Sequence, residues 1–430
     1  MRTDEKLNMT MLCDFYELTM ANGYFESGYA DRITYFDAFF RTVPDKGGFA
    51  ITAGLEQLID YIEDLHFTEE DIAYLRGRHL FSEKFLDYLR NFKFTGDVWA
   101  IPEGTPVFPR EPMVTVRARA AYIAGCVGTA CTISDQLYGT PALGTMAHAW
   151  VQMFDSEYDA FKTYCELYPT NATLLVDTYN TLKSGIPNAI RAFNEVLKPK
   201  GITKCGIRLD SGDIAYLTRE ARKMLDDAGW ETCKITVSNS LDEWLIRDLW
   251  LQEAKIDAFG VGERLITAKS EPVFGGVYKL VAVEDDKGEV VPKIKISENV
   301  GKITTPHFKK VYRLYDRESG KAIADYLCVH DETLDDTQPL TLFDPEATWK
   351  RKTVRNYTAR ELLTPIYRGG KLVYERPSLD EIKQYCAEQV DTFWGEYKRF
   401  ENPQTYYVDL SQKLYDIRQD LLHENGSRND

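Results

Sequence analysis

The 430-residue sequence lacks a long apolar run, an apolar segment near its start and a paired cysteine motif. No apolar stretch approaches the roughly 20 residues that a membrane-spanning helix needs. The first residues, MRTDEKLNMT, are polar, unlike a secretory signal. None of the eight cysteines forms a CxxC pair with a matching His or Cys cluster. We therefore expect a globular, cytoplasmic protein with reduced thiols and no membrane partner.

The sequence also has fewer basic than acidic residues. The chain has 52 Lys and Arg residues against 67 Asp and Glu residues, which gives a formal net charge of -15. Proteins whose main partner is a nucleic acid need a basic surface to contact its phosphates. We therefore expect no nucleic-acid partner, and any phosphate ligand must be held by a local group of residues.

The middle of the chain alternates apolar runs with amphipathic stretches. The runs are PALGTMAH, ATLLVDTYNT, KCGIRLDSGD, TCKITVSNS and IDAFGVGER, and the stretches between the last four are IPNAIRAFNEVLK, IAYLTREARKMLDDAG and LDEWLIRDLWLQEAK. This spacing predicts five strands in right-handed βαβ units and a parallel sheet. Both a (β/α) barrel and a doubly wound open sheet fit the pattern.

The regions before and after the middle of the chain lack its alternating pattern of strands and helices. Neither region contains an internal repeat or a low-complexity linker. Residues before about 118 mix helical patterns with β patterns that are broken by Pro and Gly. After about residue 300, KKVYRLYD and AIADYLCVH indicate further strands, and SLDEIKQYCAEQVDTFWGEYKRF indicates one long helix. We expect these α+β flanks to pack on the central region.

Several predicted strands end in residues that suit a phosphate or sugar ligand. The amides around Gly260 and Gly262 can cradle a phosphate, although a tight strand-to-helix turn is the more common explanation of a lone GxG. Arg208 can clamp an anion, and Asp210 and Asp213 can bind sugar hydroxyls or Mg²⁺. Alternatively, Asp213 caps the next helix and Arg208 forms a structural ion pair.

Two further residues follow predicted strands in the same way. Asp177 can orient a histidine or hold a metal, or it can serve as a capping residue. His148 alone is more often structural than catalytic. Because the carboxyl ends of parallel strands share one edge of a sheet, five polar endings together indicate a site for a phosphorylated sugar with a divalent metal.

Nine motifs, in order and nearly end to end, resemble the nicotinate phosphoribosyltransferase family. They are MLCDFYELTMANGYF, FFRTVPDKGGFAITAGLEQ, PEGTPVFPREP, RAAYIAGCVGT, GTMAHAWVQMF, LLVDTYNTLKSGIPNAI, GIRLDSGDIAYLTR, VSNSLDE and FGVGERLITAKSEPVFGGVYKLV. The resemblance implies an irregular α/β barrel of the type II phosphoribosyltransferase kind, and a homodimer with shared active sites. It also implies the joining of nicotinate to phosphoribosyl pyrophosphate, with Mg²⁺ and coupled ATP hydrolysis, in NAD salvage.

The resemblance also assigns roles to residues. It implies that ATP phosphorylates His148, that Asp177 orients this histidine or its Mg²⁺, and that Arg208 and Asp210 lie near the base and the ribose. Tyr16 would stack on the pyridine ring beside Asp14, contributed across the dimer. The remaining expected substrate-binding residues are Arg41, Thr145, Ser211, Gly212, Asp213, Ser238, Asn239, Gly260, Gly262 and Glu263, of which those from Ser238 onward would hold the ribose 5-phosphate.

The chain departs from the family pattern at one place, because several tens of residues are absent between Ala118 and Arg119. We therefore expect an α+β domain at 1–118, a shortened barrel that carries the active site at 119–300, and a C-terminal region at 301–430 that packs on both. Three functions stay open: an active nicotinate phosphoribosyltransferase, a catalytically impaired member or binding partner, and a transferase for another pyridine base such as nicotinamide.

Overall fold

The computed structural model describes residues 8–13, 15–111, 122–130, 139–271, 274–295, 297 and 302–426. The chain divides into two compact units: unit 1 comprises Met1–Val127, Gln136–Thr140 and Val273–Asp430, and unit 2 comprises Gly128–Asp135 and Pro141–Pro272. The domain boundaries predicted near 118 and 300 lie outside the described residues. No helix in the described ranges has both the length and the apolar composition that crossing a membrane requires.

The first part of unit 1 contains four helices and four strands within the described ranges. In chain order they are α1 (Phe15–Glu26), β1 (Thr34–Phe40), β2 (Ala50–Ile51), α2 (Leu55–Glu63), α3 (Glu69–Gly77), α4 (Glu83–Arg90), β3 (Val98–Ala100) and β4 (Pro106–Val107). The start of α3 is fixed by a capping box between Thr68 and Asp71. The apolar faces of α3 and α4 meet in a core that includes Ile72, Leu75 and Phe85.

Unit 2 alternates helices and strands, as the sequence pattern predicts. Its elements are α5 (His148–Gln152), α6 (Glu157–Leu167), β5 (Thr173–Leu175), α7 (Ile186–Ala192), β6 (Gly206–Leu209), α8 (Ile214–Asp227), β7 (Lys234–Val237), α9 (Glu243–Leu251), β8 (Ala258–Phe259) and α10 (Glu263–Ile266). Helix α7 is the middle of a helical run that extends from Thr181 to Lys200 through π and 3₁₀ turns.

Strands β5, β6, β7 and β8 form a parallel sheet in that order within the described part of unit 2. The register pairs Leu175 with Arg208 and Arg208 with Thr236, so the carboxyl ends of the strands lie side by side. Leu174, Ile207 and Ile235 are fully buried in the core beneath the helices. The strands follow chain order without a reversal, which is the order found in a segment of a (β/α) barrel.

The strand predicted at PALGTMAH is wrong. Within residues 139–147 the backbone makes a single isolated parallel bridge, between Ala142 and Thr129, and no strand. Pro141 cannot donate a ladder hydrogen bond and Gly144 weakens an extended run, so the segment reaches His148 as an irregular loop.

The second part of unit 1 is mainly β structure. Its described elements are β9 (Gly276–Glu284), β10 (Val290–Pro292), β11 (Lys309–Asp316), β12 (Ala322–Val329), β13 (Leu340–Asp344), β14 (Ala347–Val354), β15 (Tyr357–Glu361), β16 (Thr364–Arg368), β17 (Lys371–Leu372), α11 (Leu379–Asp391), β18 (Val408–Leu410) and α12 (Gln412–Gly426). Strand β1 pairs with β9, and β3 pairs with β16. The N-terminal and C-terminal regions therefore share sheets, as expected for one α+β domain.

The long helix predicted at SLDEIKQYCAEQVDTFWGEYKRF is too long. Helix α11 ends at Asp391, and only a short 3₁₀ turn follows at Gly395–Lys398. The carbonyl of Thr392 accepts a hydrogen bond from the Ala322 amide of the neighbouring sheet, and Phe393 is fully buried. These tertiary contacts end the helix where the local sequence alone would allow it to continue.

A buried ionic cluster lies in this part of unit 1. Arg313 donates two hydrogen bonds to the carboxylate of Asp325, from Nε at 2.8 Å and from Nη2 at 2.6 Å, and neither side chain is exposed. The Tyr406 hydroxyl donates to the same carboxylate at 3.0 Å. Burial, followed by the charge of Asp325, raises the pKa of Glu111 well above its usual range.

Candidate active site

His148 is the first residue of α5, directly after the irregular loop. About 38% of its side chain is exposed, so the imidazole ring can be reached from solvent. Nδ1 lies 3.1 Å from the Thr178 hydroxyl, within hydrogen-bond distance. Nε2 lies 4.0 Å from Asp177 Oδ1 and 3.9 Å from Asp210 Oδ2, and both separations exceed a hydrogen bond. The ring is therefore held between a hydroxyl on one side and two carboxylates on the other.

Asp177 comes two residues after β5 and is almost completely buried, with 2% of its side chain exposed. Its Oδ2 atom accepts hydrogen bonds from the Asp210 amide at 2.9 Å and from the Ser211 hydroxyl at 2.6 Å. Its Oδ1 atom is buried and has no hydrogen-bond partner among the described residues. A buried carboxylate oxygen without a partner is unfavourable, so this atom is available to a ligand or a cation.

Arg208, in β6, joins three segments of the chain. Its Nε donates to the Ser238 hydroxyl at 2.9 Å, its Nη1 donates to the Thr145 hydroxyl at 3.1 Å, and its Nη2 donates to Asp210 at 3.1 Å. Nη1 also reaches the Met146 carbonyl at 3.3 Å. The guanidinium therefore fixes the loop before His148 relative to the ends of β6 and β7.

Asp210 follows β6 and is ionised under neutral conditions. Burial alone would raise its pKa, but hydrogen bonds from Ser238 and Arg208, together with the Arg208 charge, lower it below the usual value of 3.8. The Ser238 hydroxyl donates to the same oxygen that Arg208 contacts. The other oxygen, Oδ2, stays directed toward His148.

Two turns at the strand ends have backbone conformations that restrict residue choice. Gly212 has φ of +83°, and a Cβ atom there would lie 2.8 Å from Leu217 Cδ1. Asn239, after β7, has φ of 87°, which Asn tolerates better than most residues.

Asp213 caps α8 by accepting a hydrogen bond from the Tyr216 amide at 3.0 Å. Its carboxylate therefore has the capping role that the sequence left open.

The GVG turn follows β8. A Cβ atom on Gly260 would lie 3.3 Å from Ser238 Cβ, so this glycine allows the turn to pack on the end of β7. Gly262 faces open space and precedes Glu263, the first residue of α10. The predicted phosphate-binding residues Ser238, Gly260 and Gly262 thus lie on two adjacent strand ends.

Two of the three predicted site residues of the N-terminal region, Tyr16 and Arg41, lie in unit 1, whereas His148 lies in unit 2. Asp14 is outside the described residues, and Tyr16 lies in α1, where its side chain is not described. Arg41 directly follows β1, and its Nε atom is buried without a hydrogen-bond partner in the described ranges. Their substrate-binding roles stay predictions.

The residues around His148 fit a magnesium ion that arrives with a phosphate ligand. No group of three or more His, Cys, Asp or Glu residues within the described ranges forms a complete metal site. Mg²⁺ commonly takes only one or two protein carboxylates and completes its shell with phosphate oxygens and water. The unpartnered Oδ1 of Asp177 and the nearby Oδ2 of Asp210 match that requirement.

The contact between Thr178 and His148 was not predicted from the sequence. It occupies the position next to Asp177 in LLVDTYN, and nothing in the local pattern separates a hydroxyl that meets a histidine from one that faces solvent. The two side chains meet because the loop before α5 crosses the end of β5. That crossing is part of the tertiary structure and has no local signal in the sequence.

The same chain resembles known proteins along nearly its whole length. The family model described as nicotinate phosphoribosyltransferase N-terminal domain matches residues 11–124, and the model of the C-terminal domain matches residues 308–418. A nicotinate phosphoribosyltransferase of Bacillus subtilis is 37% identical, over 98% of this chain and 96% of its own length. This chain belongs to the nicotinate phosphoribosyltransferase family. The family predicted from the motifs is confirmed, and with it the expectation of a nicotinate phosphoribosyltransferase.

A further relative and a solved structure are also similar to this chain. A nicotinate phosphoribosyltransferase of Mycobacterium tuberculosis is 33% identical over 94% of this chain and 92% of its own length. The crystal structure of the human nicotinic acid phosphoribosyltransferase has a TM-score of 0.81 at 24% identity, covering 95% of this chain and 99% of the human chain. That structural likeness confirms the predicted fold class.

The alignment with the Bacillus subtilis relative also bears on the segment expected to be absent. It runs over 477 residues, more than the 430 of this chain, so the relative has residues without a counterpart here. The junction between Ala118 and Arg119 lies within 112–121, outside the described residues.

Proposed function

We propose that this chain joins nicotinate to 5-phosphoribosyl 1-pyrophosphate, yielding nicotinate mononucleotide and pyrophosphate, and couples this reaction to ATP hydrolysis through a phosphorylated His148. This reaction belongs to NAD salvage. The observation that carries the proposal is the placement of an accessible histidine between a hydroxyl and two carboxylates at the carboxyl edge of the sheet. Catalytic acids and nucleophiles at the carboxyl ends of the strands are typical of barrel enzymes.

The first step is phosphoryl transfer to His148. The unprotonated ring nitrogen donates its lone pair to the γ-phosphorus of ATP, a P–N bond forms, and the bond from that phosphorus to the bridging oxygen breaks. ADP leaves with the electron pair, and the proton on the other ring nitrogen stays on the ring. Water later attacks the phosphorus, the P–N bond breaks, and phosphate leaves while His148 is regenerated, which completes the hydrolysis of ATP. Because about 38% of the His148 side chain is exposed, the γ-phosphoryl group can approach it without an opening of the fold.

The second step is displacement at ribose C1. The ring nitrogen of nicotinate forms a bond to C1 while the C1–O bond to pyrophosphate breaks, through a transition state with positive charge on the ribose. We assign Asp210 and Arg208 to the ribose and base region, and the Ser238, Asn239 and Gly260 to Glu263 turns to the 5-phosphate. When bound, Mg²⁺ supplies positive charge to the leaving pyrophosphate, and Asp177 and Asp210 are the residues that would hold it.

We also propose a cytoplasmic homodimer in which each active site draws residues from both subunits. Helix α1 exposes Phe15, Met20 and Tyr24 by 38%, 47% and 53%. Phe36 and Tyr278 stack on each other with ring centroids 4.7 Å apart, yet they are 44% and 65% exposed. Apolar side chains grouped in this way mark a partner surface, and a second copy of the chain is the partner that the family resemblance implies.

The test is an assay of purified protein with nicotinate, phosphoribosyl pyrophosphate, Mg²⁺ and ATP. We expect nicotinate mononucleotide to form, ATP to stimulate its formation, and His148→Asn to abolish that stimulation. His79→Asn is the matched control, because His79 is exposed on unit 1 and its φ of 55° is one that Asn adopts readily. Failure of the folded protein to form product would contradict the proposal. Product formed faster from nicotinamide would reassign the base.

A further inference from the structure

Thr178 and His148 meet at the side of the imidazole that faces away from the carboxylates. The Thr178 hydroxyl lies 3.1 Å from Nδ1, whereas Nε2 faces Asp177 Oδ1 at 4.0 Å and Asp210 Oδ2 at 3.9 Å. Asp177 and Thr178 are consecutive residues just after β5, so one short segment faces the histidine ring on both of its nitrogen-bearing sides. The proposed reaction assigns no role to the threonine.

The shape of the imidazole ring makes this contact important. A rotation of 180° about the Cβ–Cγ bond exchanges the positions of Nδ1 and Cδ2, and of Nε2 and Cε1, while the ring keeps nearly the same outline. Only one of the two orientations places a nitrogen against the Thr178 hydroxyl. Because a hydroxyl can either donate or accept, this bond selects an orientation of the ring whichever nitrogen carries the proton.

We propose that Thr178 is a positioning residue for His148, which keeps the ring in one orientation so that the phosphoryl group is transferred to one ring nitrogen only. This inference rests on the proposed phosphohistidine reaction. Thr178 forms and breaks no covalent bond: its hydroxyl keeps its proton, and the bonds that change are the P–N and P–O bonds of the transfer step.

The test is the identity of the phosphorylated nitrogen. Protein is incubated with radiolabelled ATP and Mg²⁺, digested under alkaline conditions that preserve phosphohistidine, and the Nδ1 and Nε2 isomers are separated by chromatography. We expect a single isomer from the unaltered protein and from Thr178→Ser, which keeps the hydroxyl. Thr178→Val, which has nearly the same shape without it, is expected to give both isomers and to form phosphoenzyme about tenfold more slowly.

A matched control removes a hydroxyl nearby. Thr181 begins the π turn that follows, and its hydroxyl makes no hydrogen bond within the described part of the chain, so Thr181→Val is expected to give the single isomer at the normal rate. A merely structural role of Thr178 would reduce the amount of phosphoenzyme without mixing the isomers.

The outcomes separate this inference from the function on which it rests. A single isomer from Thr178→Val at an unchanged rate overturns the positioning role while the phosphohistidine reaction stands. A single isomer formed more slowly also overturns it. Absence of phosphohistidine in the unaltered protein, with nicotinate mononucleotide still formed, overturns both the positioning role and the ATP coupling.

Discussion

Gly185 lies against Val176 so closely that a Cβ atom on the glycine would stand 1.8 Å from the Val176 carbonyl oxygen. Gly185 ends the first π turn of the helical run after β5, and its φ of -57° is ordinary for any residue. The requirement for glycine therefore comes from close approach and not from backbone conformation. Val176 directly precedes Asp177, so this contact fixes the helical run next to Asp177 and Thr178.

Gly185→Ala is expected to displace the helical run from the end of β5. Overpacking of this kind destabilises a fold by about 1–3 kcal/mol, and the shift should move Asp177 and Thr178 away from His148. Urea unfolding and the rate of nicotinate mononucleotide synthesis measure the two effects. Gly77→Ala, at the last residue of α3 where no atom lies within 4 Å of the new Cβ, is the control and should leave stability unchanged or slightly higher.

Asp177→Asn tests the role of the unpartnered carboxylate oxygen. An amide oxygen can still accept the hydrogen bonds from the Asp210 amide and Ser211, but the side chain no longer carries charge toward His148. We expect the fold to persist and ATP-stimulated synthesis to fall about 10- to 100-fold. The exposed Asp159→Asn serves as the control. Normal ATP stimulation in the Asp177 variant would refute the role of its charge.

The buried pair Arg313–Asp325 should be essential for the stability of unit 1. Asp325→Asn leaves the guanidinium of Arg313 without its charged partner in a site with no exposure, and breaking such a pair costs about 3–5 kcal/mol. Chemical unfolding followed by circular dichroism measures the loss. Lys413→Ala removes an ion pair to Asp331 whose side chains are 47% and 55% exposed, and it should cost less than about 1 kcal/mol. Equal losses in the two variants would contradict this ranking.

Asp409 gives a prediction of pH dependence. Burial in β18, followed by the charge of Asp344, raises the pKa of Asp409 from 3.8 to about 6. The folded protein therefore binds this proton more tightly than the unfolded chain does. The stabilisation that results is complete below the unfolded pKa and is lost as the pH rises through the folded pKa.

Asp409→Asn removes this titration while it keeps the shape of the side chain. From about pH 4 to about pH 7, the unfolding free energy of the variant should rise relative to that of the unaltered protein by up to about 3 kcal/mol. Unfolding measured at several pH values checks the trend. A difference between the two proteins that stays constant across this range would show that Asp409 does not titrate in this way.

The sequence indicated much of unit 2, because its signals are local. Alternating apolar runs and amphipathic helices located β5 to β8, and the residue after each strand placed Asp210 and Ser238 at one edge of the sheet. The contacts that complete the site are not local. Thr178 meets His148 across 30 positions of sequence, and Arg208 meets Thr145 across 63, so no spacing within one segment reveals them.

The chain order of the parallel sheet affects how the protein tolerates insertions and deletions during evolution. Each helix between two strands returns the chain to the start of the next strand, while Arg208 contacts Ser238 and His148 faces Asp177 at the strand ends. Residues can therefore be added to or removed from the outer surface of these helices without altering which strands are neighbours. Changes in the length of the surrounding segments should therefore leave the distances between the side chains at the strand ends unchanged.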